Sequence, residues 1–69
     1  MSANEDEARA QAEMFLADGS NGFRFEHLST KLVEGEWSVV FAVISPSGHE
    51  LDGPVVVIVN PASGEPRAL

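Results

Sequence analysis

Trp37-Ser38-Val39-Val40-Phe41-Ala42-Val43-Ile44 is the stretch on which the fold turns. Side chains alternate between the two faces of a strand, so Trp37, Val39, Phe41 and Val43 fall on one face and Ser38, Val40, Ala42 and Ile44 on the other. The first set is apolar throughout and the second nearly so. A sheet that is apolar on both sides has a cover on both sides. Glu34-Gly35, just upstream, has the composition of a tight hairpin turn, because Gly takes positive φ without cost. The strand upstream of that turn begins with Phe23-Arg24-Phe25-Glu26, which alternates apolar and charged residues. Leu28 and Leu32 are out of phase with Phe23 and Phe25, and one extra residue near His27, a β-bulge, restores the phase.

Downstream, Ser45-Pro46-Ser47-Gly48 is a turn signal, and Ser45 to Gly53 reads as a loop or the ragged end of a hairpin. Val55 to Val59 is a continuous β-branched run, closed by Asn60-Pro61-Ala62-Ser63-Gly64. The tail from Glu65 to Leu69 has room for a few strand residues, and Pro66 confines them to an edge or to the end of the strand.

Upstream of all strands, Glu5 to Asp18 contains no Gly, Pro or β-branched residue and is rich in Ala, so it is expected to be helical. Ser2-x-x-Glu5 has the form of a capping box, with Asn4 as a second N-cap. Glu5, Asp6 and Glu7 put negative charge at the end of the helix where the backbone dipole favours it. Ala8, Ala12, Phe15 and Leu16 share one stripe, with Phe15 and Leu16 as the expected anchors. Met14 lies off that stripe, and Gly19 or Asn21-Gly22 supplies the stop. The fold class expected is α+β: one N-terminal helix packed on a three-stranded antiparallel meander, a single domain over residues 1–69 with Met1–Asn4 and Arg67–Leu69 frayed. The helix is expected to cover Trp37, Phe41 and Val43, with Phe23 or Phe25. The other face carries Val40, Ala42 and Ile44, with Val56 and Ile58 or the alternate valines beside them. With one helix in the chain, a second molecule is the expected cover. The interface expected is Val40, Ala42, Ile44, Val56 and Ile58, in a homodimer.

Composition narrows function by exclusion. The 69 residues carry 4 Lys+Arg against 11 Asp+Glu, a net charge of −7, which speaks against a nucleic-acid partner, since phosphate binding needs clustered cations. A 43% hydrophobic content is too high for a chain disordered throughout, and the absence of Cys rules out disulfides, Cys-based zinc sites and thiol chemistry. A domain of this size buries only about 60% of the surface exposed when unfolded, a second reason to expect oligomerisation. The acidic N-terminus has neither the basic nor the apolar region of a secretory signal, and the runs Val39 to Ile44 and Val55 to Val59 are far short of a membrane span. The expectation is therefore a cytoplasmic protein without membrane contact.

Candidate chemistry is sparse. His27 and His49 have Glu26, Glu50 and Asp52 close in sequence, but no metal-ligand spacing links them, so neither a metal nor a cofactor is expected. Glu34 and Glu36 flank a turn and read as solvated charge rather than a general acid–base pair. Ser47-Gly48 and Ser63-Gly64 are turns, not nucleophile elbows, and Gly19-Ser20-Asn21-Gly22 follows a helix instead of opening one as a phosphate loop does. The chain is expected not to be an enzyme. Trp37 reads as a core anchor under the helix in preference to an interface hot spot. Asp6, Glu7, Glu13 and Asp18 give the helix an acidic face suited to steering a basic protein partner.

The Ala-alternating helix (Glu7 to Ala12), Gly35-Glu36-Trp37 and the ending Val55 to Glu65 together resemble PepSY-type domains, and are equally similar to small immunity-type proteins of the YrhB kind. Asn60 stands where the closing turn usually has Asp, and Ser63 where it usually has Thr; both keep an oxygen that caps a turn. The resemblance implies helix-then-strands order and no catalytic residues. Its YrhB side implies a small acidic protein that neutralises or regulates a partner, with immunity-like function. The alternative expectation is a small-ligand carrier or accessory subunit, with a pocket between two protomers.

Overall fold

In the computed structural model, which describes residues 4–69, Asn4 starts the helix: its side-chain oxygen accepts the Glu7 N–H at 2.9 Å. Met1–Ala3, and with them Ser2 of the capping box, lie outside the described residues. Helix α1 runs Glu5–Ala17 with Glu5, Asp6 and Glu7 in its first turn. It ends where Gly19 N–H reaches Leu16 C=O at 3.3 Å. A turn then reverses the chain: Phe23 N–H donates to Ser20 C=O at 2.9 Å across Asn21 (φ 49) and Gly22 (φ 87), and Asn and Gly are the residues that tolerate this left-handed backbone.

Strands β1 (Arg24–Val33), β2 (Glu36–Ile44), β3 (Val55–Val59) and β4 (Pro66–Ala68) follow. They form one antiparallel sheet in the order β1-β2-β3-β4. β1 and β2 meet at Glu34 (φ 50) and Gly35 (φ 80), two positive-φ residues closing a two-residue hairpin between the Val33/Glu36 pair. The expected bulge is present: His27 pairs with Phe41 and Ser29 with Val40, leaving Leu28 as the extra residue. The β2–β3 connection is the ragged hairpin end expected from its sequence. Glu50 bridges Ile44, and Leu51 N–H donates to Val43 C=O at 2.8 Å.

The meander has four strands, not three: the tail after Glu65 adds β4. The Asn60 side chain accepts the Ala62 N–H at 2.8 Å, Gly64 N–H donates to Asn60 C=O at 2.7 Å, and Asn60 N–H to Glu65 C=O at 3.1 Å. This compact turn returns the chain along β3, where Ile58 pairs with Arg67 and Leu69 N–H reaches Val56 C=O at 3.1 Å. Pro66, which has no N–H to donate, sits on the edge strand, where a missing donor costs least.

α1 lies on one face of the sheet. Ala8, Ala12, Val39, Phe41, Val57 and Val59 form the buried cluster, with Leu16, Phe25, Trp37 and Val55 packed against it. The expectation that Phe15 anchors the helix fails: it is 39% exposed, and the fully buried helix positions are the alanines. Small side chains let the helix axis approach the sheet, and Phe15 falls at the margin of that contact. Phe15→Ala is accordingly expected to cost about 1 kcal/mol, well below the 3–5 kcal/mol of a buried Phe, as read from urea denaturation midpoints. No helix among the described residues is long and apolar enough to cross a membrane.

Candidate functional site: the sheet face opposite the helix

Directly paired residues of antiparallel strands point to the same face. The side away from α1 can therefore be laid out row by row from the register. Lys31, Ser38, Ile58 and Arg67 make one row across all four strands. Ser29, Val40 and Val56 make the next, with Leu69 bonded to Val56 at its end. Glu26 and Ala42 follow, then Arg24, Ile44 and Glu50. The five residues expected at an interface, Val40, Ala42, Ile44, Val56 and Ile58, are thus brought onto one face by β2 and β3.

Of these, Ala42 is buried and the other four are half-buried. Ala42 lies with Leu28, Leu51 and Pro54 at a shallow depression of about 120 Å³. The bulge puts Leu28 there, whereas Leu51, next to the bridged Glu50, stands at the end of the sheet and also borders Val43 and Val55 of the helix side. Leu28, Leu51 and Leu69 are exposed, the last at 86%. Exposed leucines extending a half-buried Val/Ile strip form a contiguous apolar patch, the kind of surface that marks an interaction site. Sequence reasoning assigns neither Leu28 nor Leu69 to this face. A break in period two signals the bulge without saying that Leu28 is the residue it releases, and Leu69 reaches the face only through β4.

Charge rims the patch. Arg67 donates to both carboxylate oxygens of Glu36, at 2.8 and 2.9 Å, a two-pronged pair joining residues 31 apart in the chain. These hydrogen bonds hold the Glu36 carboxyl below its ordinary range, against a smaller opposing effect of desolvation and with added help from the Arg67 charge; the same pairing raises Arg67. Glu36 is therefore an ion-pair partner of β4, and Glu34 is a turn residue. A cleft of about 360 Å³ runs between Val33, Ser38, Ile58 and Leu69 beside this pair.

The remaining candidates are dispersed. His27 is half-buried on the helix side, its Nε2 2.6 Å from Thr30 Oγ1 and its ring edge-on to Phe41 with centroids 5.7 Å apart. His49 lies in the exposed β2–β3 loop, where its N–H donates to Ser45 Oγ at 3.1 Å. Among the described residues no group of three or more His, Asp or Glu side chains is placed to hold a metal ion. Trp37 is half-buried against the core under α1. Glu13 pairs with Arg9 at 3.2 Å on the exposed side of the helix, while Asp6, Glu7 and Asp18 are also exposed. No family model matches this chain, and no curated protein and no solved structure matches it either.

Proposed function

We propose that this chain is a small, non-catalytic protein-interaction domain that works as a homodimer through Val40, Ala42, Ile44, Val56 and Ile58. The observation that carries the reading is the coincidence of these side chains on the one sheet face that α1 does not cover, flanked by exposed Leu28 and Leu69. Strand spacing bounds the strength of such a contact. Four strands about 4.8 Å apart and rows spanning about 27 Å give at most about 500 Å² per protomer. The pair then buries about 1,000 Å², the lower end for a specific interface, so association is expected in the micromolar range and to depend on concentration. Within this reading the exposed acids of α1 are left free on the far side of the dimer. There they suit a basic protein partner in the cytoplasm, in the immunity-like or regulatory role that the resemblance implies.

Light scattering coupled to size exclusion, from about 1 μM to 1 mM, tests the dimer. The mass is expected to rise from one chain to two across the series. Ile44→Glu places a charge inside the contact and is expected to raise the dimer Kd at least about tenfold while helical circular dichroism stays intact. A wild-type chain that remains monomeric at the top concentration overturns the reading, as does an Ile44→Glu chain that unfolds at low concentration, since that face then belongs to the monomer core. A second reading, a small-ligand carrier, is favoured by the cleft of about 360 Å³ at Val33, Ser38, Ile58 and Leu69. It requires a co-purifying small molecule in native mass spectra.

A further inference from the structure

The occupant proposed for the open face is a second copy of this chain, and the charges on the face decide how the two copies are oriented. In the aligned class of sheet stacking the strands keep within about 30° of each other, and a two-fold axis in the interface then either runs along the strands or crosses them. An axis along the strands lays β1 of one copy over β4 of the other. Lys31 and Arg67 occupy the same row, so this arrangement sets Lys31 against the partner's Arg67 twice. An axis across the strands, passing through the Val40 row, lays β1 over β1 with its ends exchanged. Lys31 is one row to one side of Val40 and Glu26 one row to the other. Each Lys31 then faces the partner's Glu26, two contacts with a carboxylate in place of two with an Arg67 whose own carboxylate partner, Glu36, is already engaged.

The bulge is what makes this possible. Positions five apart in a regular strand point to opposite faces. The extra residue at Leu28 puts Glu26, paired with Ala42, and Lys31, paired with Ser38, on the same face. We propose that the homodimer stacks its open faces with β2 antiparallel to β2 of the partner, Val40 at the two-fold axis and Lys31 paired with the partner's Glu26. The proposal rests on the homodimer reading above and adds its register.

The test is a charge swap read by sedimentation equilibrium at low salt. Lys31→Glu and Glu26→Lys are each expected to raise the dimer Kd about tenfold, by turning both contacts repulsive, and the effect should shrink as salt rises. Glu26→Lys is the sharper of the two, because it brings the acidic chain closer to neutrality and yet should weaken association. Mixing the two single variants is expected to restore dimers as heterodimers, in which both contacts are again between opposite charges. The double variant Glu26→Lys/Lys31→Glu should also dimerise as the wild type does. Tighter association of Lys31→Glu alone overturns the proposal in favour of the axis along the strands, where the introduced carboxylate would meet the partner's Arg67. Single variants indistinguishable from the wild-type dimer overturn it as well. If mixing restores association but Ile44→Glu leaves the wild-type dimer intact, the charges meet across the free β1 edge and face stacking is wrong. A wild-type monomer at every concentration is distinct from all of these, and removes the homodimer together with its register.

Discussion

Replacement of Phe41 by Ala is expected to remove about 3–5 kcal/mol of stability, a large share of what a chain of this length has, as read from urea denaturation. Phe41 is the largest fully buried side chain. It stands between His27 on β1 and Val55 on β3, and the His27 ring meets it edge-on. Truncating a buried Phe costs about 3–5 kcal/mol, the sum of lost transfer free energy and the cavity left behind. At about 0.05–0.15 kcal/mol per residue, a chain of this length has about 3–10 kcal/mol in total. The surroundings have little means of filling the gap, because Val39, Val57 and Val59 are β-branched and stiff at χ1, and Ala8 and Ala12 have no side chain that can reach in. If Phe41→Ala lost less than about 1.5 kcal/mol in urea denaturation, the core would have to collapse around the vacancy, and the rigid packing around Phe41 would be refuted.

Much of this arrangement is legible in the sequence, and what is not fails for identifiable reasons. The helix, the two-residue turn at Glu34-Gly35 and the bulge after His27 each have a local signature: a capping Asn, a positive-φ dipeptide, and a break in period two. Two-sided apolarity in β2 likewise marks out the uncovered face, because face membership follows from alternation alone. The fourth strand has no such signature. Pro66–Ala68 is only three residues long and begins with a residue that lowers strand propensity. It is held by the Asn60 turn and by Arg67 gripping Glu36, a contact from β4 past β3 to β2 that no local pattern announces. Phe15 shows the opposite failure. It sits on the apolar stripe by spacing, but the helix is brought so close to the sheet by Ala8 and Ala12 that the larger ring is left at the edge. A stripe identifies the face a helix turns inward, whereas the depth of each residue depends on what it meets. At the candidate site the rim of charge follows the same rule. Lys31 and Glu26 are five residues apart, which in a regular strand means opposite faces, and only the bulge puts them on one side.

The alanines that displace Phe15 also set the most sensitive point of the helix. Ala12 is completely buried, at 0% exposure, while Ala10, two residues away, is exposed. Leucine and alanine are both strong helix formers, so Ala→Leu changes helix propensity little at either position. What differs is the space. At position 12 three added carbon atoms must enter the gap between α1 and the Val39, Phe41, Val57 and Val59 cluster, which is filled. Either the helix lifts away, uncovering those side chains, or they leave their rotamer wells; overpacking of this kind costs about 1–3 kcal/mol. In a domain of this size 1 kcal/mol moves the melting temperature by about 4–8 °C. Ala12→Leu is therefore expected to melt about 5–20 °C below the wild type, and Ala10→Leu within about 4 °C of it, since exposed substitutions stay within about 0.5 kcal/mol. Equal melting temperatures for the two variants would mean that the helix has room beneath it. The close approach of α1 to the sheet, and with it the reason for Phe15 lying outside the core, would then be refuted together.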